Sequence, residues 1–303
     1  MHVPNSMLQG HICPVTALVG AVGVAIAAIV AFRSKNKPTA ARFGAITALI
    51  FAAQMMNFPI LDGTSGHLLG GVLASTLLGT PFGILAVSLV VTIQCLVFSD
   101  GGFTVLGANI LNMALIGAGL GGVLRMHFLD KVPVRSLLYA SRLGLIAWLS
   151  VMMAALAVSI ELALSGTITF STVVITMLGA HALIGIGEGL ITIATCFAFA
   201  QEPANTSKKW SVTVPLIASG VIATMLSPFA SGFPDGLEWV AAKYQFLHEA
   251  APTFVSPLPD YSVLSVSNAA ISTGLAGLAG VTLTFLVAWA AAKMLTLPEQ
   301  AKA

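Results

Sequence analysis

The chain has 303 residues, of which 57% are hydrophobic and only 8% charged, with a formal net charge of +2; an ordinary globular domain carries about 25% charged residues. With a mean hydropathy of +0.97 and apolar runs along its whole length, it cannot cover a soluble surface, which excludes a water-soluble enzyme, a nucleic-acid-binding protein and a disordered scaffold. The composition defines an all-α, polytopic membrane helix bundle in a lipid bilayer.

Nine apolar runs read as spans in chain order, at about 12–32, 43–60, 67–80, 82–98, 105–124, 143–160, 172–200, 210–229 and 268–292. The third is short against the ~20 helical residues a bilayer needs, and Pro81 follows it. It predicts a tilted or partly re-entrant helix buried by its neighbours. The eighth contains Pro215 and ends near Pro228, which predicts a kink. No Lys or Arg precedes Arg33, so the start does not read as a secretory signal. His2 is too bulky for methionine trimming, so Met1 is expected to keep a free α-amine. The three cysteines, Cys13, Cys95 and Cys196, form no CxxC pair and read as buried small hydrophobes.

Charge orients the bundle. With the N-terminus outside and one crossing per run, twelve of the thirteen basic residues face the cytoplasm: Arg33, Lys35, Lys37, Arg42, Arg125, Lys131, Arg135, Arg142, Lys208, Lys209, Lys293 and Lys302. Only Lys243 falls outside, as the positive-inside bias requires. Asp62, Asp100, Glu161, Asp235, Glu238, Glu249 and Asp260 fall on the outer side. A polar linker near 201–210 divides the chain into a seven-span part, residues 1–205, and a two-span module, residues 206–303, with an external loop of roughly forty residues.

This topology brings the terminal Met1-His2-Val3-Pro4 and His67, in GTSGHLLGG, to one face. A free Met-His terminus is a chelator: metal binding displaces the proton of an α-amine, and the His2 backbone nitrogen can ionise for a strongly binding cation. Amine and amide close a five-membered ring; amide and imidazole Nδ1 close a six-membered one. Three nitrogens share a plane, and one further imidazole completes a square suited to Ni(II) or Cu(II) rather than tetrahedral zinc. Either histidine alone reads as an ordinary interfacial residue; their shared face and the untrimmed terminus favour a site.

The motifs MHVP, SGHLLGG, FSDGGFTVLGANILNMA at 98–114 and HALIGIGEGLIT at 181–192 resemble the CbiM/NikM family over about residues 1–205. Members are substrate-specific components of cobalt and nickel energy-coupling-factor ABC transporters. The resemblance implies Ni(II) or Co(II) as transported substrate, with no permanently bound cofactor. It implies ligation by the Met1 amine, the His2 backbone nitrogen and imidazole, and His67. It implies a CbiQ/NikQ-type coupling subunit and CbiO/NikO-type ATPase subunits as partners. PDGLEWVAAKYQF at 234–246 and PLPDYSV at 257–263 resemble a fused NikN-type PDGLE module; by residue chemistry alone PDGLE is a turn leading into a helix. Nickel members begin MHIPDG and cobalt members MHIMEG, whereas this chain begins MHVPNS. Val3-Pro4 and the fused module lean towards nickel; Asn5 and Ser6 depart from both patterns, and the nearby His11 reads as an interfacial residue or, alternatively, a competitor for metal.

Several further residues carry two readings. Asp62 and Asp100 either attract cations and orient imidazoles or are solvated loop acids. Asn109 and Asn112 bond the N-terminal loop or neighbouring helices. Glu188 reads as the sole acid well inside a span, with His181 two turns earlier: a structural polar lock, or the pair that would drive a self-sufficient proton-coupled transporter. Ala17, Ala21 and Ala25 form a small-residue stripe that either packs internally or docks the coupling subunit. No G-x-x-x-x-G-K-[ST] occurs, so no catalytic ATPase function is expected and energy must come from partners.

Overall fold

The computed structural model describes residues 1–60, 63–199, 210–246 and 255–296. Asp62, Lys208, Lys209, Glu249, Lys302 and the proposed linker between residues 201 and 209 lie outside them.

Among the described residues, seven helices are long and apolar enough to cross a membrane. The first is α1, Ile12–Arg33. Helix α2, Ala40–Gln54, is shorter than expected. Thr39 starts it, accepting from the Arg42 N–H, and the chain then turns into a small hairpin, β1 Phe58–Pro59 paired with β2 Ser65–Gly66. Pro59 cannot donate to a continuing helix. Helices α3, Gly71–Leu78, and α4, Thr80–Phe98, meet at Gly79; Pro81 opens α4 rather than merely ending its predecessor, because the first turn of a helix has no use for its N–H. Helix α5, Leu106–Leu129, widens into a π-helical stretch at Ile110–Leu120. Helices α6, Leu137–Leu164, and α7, Phe170–Phe199, follow. Pro215 stands inside α8, Trp210–Val221, and regular geometry gives way at the π-helical Ile222–Leu226. A short helix α9, Gly236–Lys243, and the long α10, Ala269–Thr296, complete the chain.

The third crossing is the unusual one. Eight helical residues rise about 12 Å, far short of a ~30 Å hydrocarbon core. Residues 67–70 precede α3 without regular structure. Gly70 has φ +73°, a left-handed turn that glycine adopts freely. Non-helical backbone at this depth leaves polar groups that lipid cannot satisfy. Glu188 of α7 satisfies them: Leu69 N–H donates to Oε2 at 2.6 Å and Gly70 N–H to Oε1 at 2.9 Å. Gln54 Nε2 donates to Leu69 C=O at 2.7 Å. Glycine at position 71 is required by packing, since a Cβ there would lie 2.3 Å from the Gly117 backbone.

The acid expected alone inside a span has company. Glu161, expected in an external loop, sits inside α6 at 4% exposure and accepts from Asn112 Nδ2 at 2.8 Å. An apolar flank continues past it, so the helix runs on and the acid is buried with a polar partner.

Every segment placed on the outer side gathers at one end. The Met1–His67 contact, the His2–Asp100 contact, Ser65 N–H to Pro234 C=O and Thr167 Oγ1 to Met7 C=O all lie there. At the opposite end Arg42 reaches Leu77 C=O, and Lys35, Leu78 and Ser211 share a cavity. Replacing Glu188 with alanine strips two buried N–H groups of their acceptor at about 1–3 kcal/mol each. A clear fall in melting temperature in detergent is expected, and Glu188→Gln, which keeps one acceptor, should fall less. A wild-type melting temperature for Glu188→Ala would refute the role.

Candidate metal centre

The N-terminal loop is threaded into the bundle by backbone bonds. Val3 N–H donates to Asn109 Oδ1 at 2.7 Å, Asn109 Nδ2 donates to Val3 C=O at 3.1 Å, and Gly102 N–H donates to the same carbonyl at 2.8 Å. Asn5, the departure from both family patterns, accepts from Thr104 N–H and Oγ1 at 3.1 and 2.9 Å. The Asp100-Gly101-Gly102 turn is shaped for this strand: a Cβ on Gly102 would lie 2.3 Å from Asn5 N, and Gly101 has φ +89°. Val3 and Met7 fill apolar positions at full burial. Asn109 therefore holds the N-terminal loop; Asn112 does not, being engaged by Glu161.

These anchors leave the Met1 amine buried and facing His67 Nε2 at 2.5 Å. On the other ring edge His67 Nδ1 lies 3.0 Å from Leu68 C=O. A carbonyl only accepts, so Nδ1 carries the hydrogen and Nε2 offers a lone pair to the amine's side, the state a metal ligand requires. The His2 ring lies nearly parallel to His67, with centroids 5.1 Å apart and planes 11° apart. His2 Nδ1 points at Asp100 Oδ1, 3.0 Å away, and Nε2 at Gln94 Oε1, 3.1 Å away. Met1, His2 and His67 are thus brought together, with the Nδ1 expected in the chelate resting on a carboxylate. His11 stands exposed at the start of α1. Glu188 binds backbone, as above, and His181 Nδ1 faces Met177 C=O at 2.8 Å while its Nε2 has no hydrogen-bond partner; no hydrogen bond joins the two.

Two acids hold this arrangement. Burial alone would raise the pKa of Asp100, but the His2 imidazole and the Tyr261 hydroxyl, which donates to Oδ2 at 2.6 Å, hold it well below the usual carboxylate range. Asp235 was legible only as a turn residue. Its Oδ1 caps α9, accepting from Leu237 and Glu238 N–H at 2.8 and 2.9 Å. Its Oδ2 lies 2.5 Å from the Met1 amine and 3.7 Å from His67 Nε2. Burial would raise its pKa too, yet the neighbouring ammonium and His67 hold it well below the ordinary value. Gln94 and Tyr261 were also missed; Gln94 Nε2 donates to the Tyr261 hydroxyl at 3.0 Å. Among the described residues no group of three or more His, Cys, Asp and Glu side chains makes a metal cluster by itself.

Buried nitrogen donors gathered at one end of a multi-pass membrane protein suit a metal transport component, and comparison with known proteins gives that class. Residues 2–205 match the CbiM family, described as the cobalt uptake substrate-specific transmembrane region, and residues 209–297 match the PDGLE domain. The chain belongs to the CbiM family. It is 32% identical over 300 residues to a putative fused nickel transport protein NikMN of Archaeoglobus fulgidus, covering 96% of this chain and 97% of that one. It is 29% identical over 165 residues to the cobalt transport protein CbiM of Sorangium cellulosum, covering 53% and 73%. A crystal structure described as a transition metal transporter superposes with a TM-score of 0.59 at 27% identity, covering 71% of this chain and 99% of that one.

Asn109→Ala removes both side-chain bonds to Val3, at a net ~1 kcal/mol each. Metal affinity is expected to fall by up to roughly thirtyfold by calorimetric titration of the purified chain, with the bundle still folded; an unchanged affinity would show that the loop is held by other means.

Proposed function

We propose that this chain captures Ni(II), with Co(II) as the alternative cargo, at the outer face of the cell membrane and serves as the substrate-specific component of an energy-coupling-factor transporter. The observation that carries this reading is the 2.5 Å approach of the Met1 amine to His67 Nε2 across 66 residues of sequence. The outward orientation rests on the charge distribution, and nickel is favoured by Val3-Pro4, the fused module and the fused relatives described as nickel transport proteins.

The donor set fits the cargo. The amine, the His2 amide nitrogen, His2 Nδ1 and His67 Nε2 supply four nitrogens for a tetragonal ion. To join them, the His2 ring exchanges Asp100 for the cation, so Asp100 parks the ring while the site is empty of cargo. Residues 1–205 form the metal-binding part and residues 206–303 the module that covers it. ATP hydrolysis belongs to CbiO/NikO-type partners through a CbiQ/NikQ-type coupling subunit. Ala17, Ala21 and Ala25 are exposed on α1, which supports this stripe as the docking face. Release follows when the partners draw the N-terminal loop away from His67, because losing one of four donors weakens the set sharply. The bonding of Glu188 to Leu69 and Gly70 supports a structural role for it over proton coupling with His181.

His67→Ala is expected to lower nickel affinity at least a hundredfold, and one alanine inserted ahead of Met1 to do the same by removing the amine from the chelate. Titration of the purified variants checks both. Full affinity in either would overturn the site, and uptake that persists without ATPase partners would favour a proton-coupled transporter.

A further inference from the structure

The geometry points to Asp235 of the C-terminal module as a ligand of the arriving cation, acting together with the Met1 amine and His67 Nε2 before the His2 chelate closes. This rests on the amine-and-His67 site proposed above.

Three atoms are already in place. Amine to His67 Nε2 is 2.5 Å, amine to Asp235 Oδ2 is 2.5 Å, and Oδ2 to Nε2 is 3.7 Å. The triangle is nearly right-angled at the amine. A single point about 2 Å from all three atoms exists, which is the usual metal–nitrogen and metal–oxygen bond length. The His2 ring is not yet available, since its Nδ1 rests on Asp100. The carboxylate is free for this duty because its two oxygens divide the work: Oδ1 caps α9 and Oδ2 faces the amine.

A cavity reaches His67 and Asp235. Its volume is about 260 Å³, and it is lined by His2 and His67 and by the carboxylates Asp100, Asp235, Glu238 and Asp260. Gln54 also lines it, 3% exposed, with Oε1 buried and without a hydrogen-bond partner. An unsatisfied buried acceptor on a polar wall suits the water shell of an incoming ion. Oxygen donors take a hydrated divalent cation more readily than a backbone amide that must first ionise. The cation loses waters to Asp235, the amine and His67, and the Met1 ammonium releases its proton to the water of the cavity. Closing the chelate then releases the His2 amide proton, and the fourth nitrogen position passes to the His2 ring. The C-terminal module thereby takes a direct part in loading, though the final four nitrogens all come from residues 1–67.

Asp235→Asn separates the ligand role from the helix cap, because asparagine caps a helix as well as aspartate does while replacing Oδ2 by an amide nitrogen. Purified full chain is mixed with nickel chloride in a stopped-flow spectrometer, and the equilibrium absorption band is recorded afterwards. Asp235→Asn is expected to slow nickel loading at least tenfold, with a melting temperature lowered by the loss of the Met1 amine's charge partner and a final band like that of the wild type. Asp235→Ser, which also caps but has no second oxygen, should be slowed as much. Loading of both variants at the wild-type rate overturns the inference and leaves the four-nitrogen site standing. If the wild type itself gives no nickel-dependent band, the underlying site fails and the inference falls with it.

Discussion

An amine carried by a residue only 3% exposed cannot stand unpaired in a low-dielectric interior. The position of the Met1 nitrogen is therefore the constraint to which much of the outer end answers. Asp235 supplies charge, His67 supplies a lone pair, and the Val3–Asn109 bonds fix the strand that delivers the amine. The glycines at 101 and 102 leave room for that strand against α4 and α5. Two remote side chains, His67 and Asp235, meet this nitrogen, and Gly102 and Asn109 hold the loop that delivers it.

The same end explains why the third crossing is broken. The N–H groups of Leu69 and Gly70 lie ahead of the first intrahelical bond of α3 and need an acceptor from outside it. The chain runs unwound from His67 to Gly70, and Glu188 accepts both N–H groups. Burying a carboxylate in a span is costly; charge-assisted bonds to two backbone donors offset that cost and hold the segment beginning at His67.

Much of this was legible in the chain. Hydropathy located the nine runs, charge parity placed the correct segments at a common end, and the chelating chemistry of Met-His drew attention to His67. Local patterns were silent where the partner is remote. LLGG continues an apolar run and reads as helix, because the acceptor that permits unwinding lies 118 and 119 residues away. PDGLE reads as a turn and a helix start, and Asp235 does cap α9; its second oxygen meets a partner 234 residues distant that no window contains. Glu161 reads as a loop acid because a charge near a run's end usually marks its boundary, whereas Asn112 lets the helix carry it inside. Tyr261 carries a positive φ of 53°, uncommon for a bulky residue, and only the assembled fold brings its hydroxyl to Asp100.

Nickel-edge X-ray absorption of the purified, nickel-loaded chain tests the central claim most directly. Four nitrogen donors in a planar shell at about 2 Å, lost when the α-amine is acetylated, are the predicted result. A six-coordinate, oxygen-rich shell, or a planar shell that survives acetylation, would contradict a site built on the first residue.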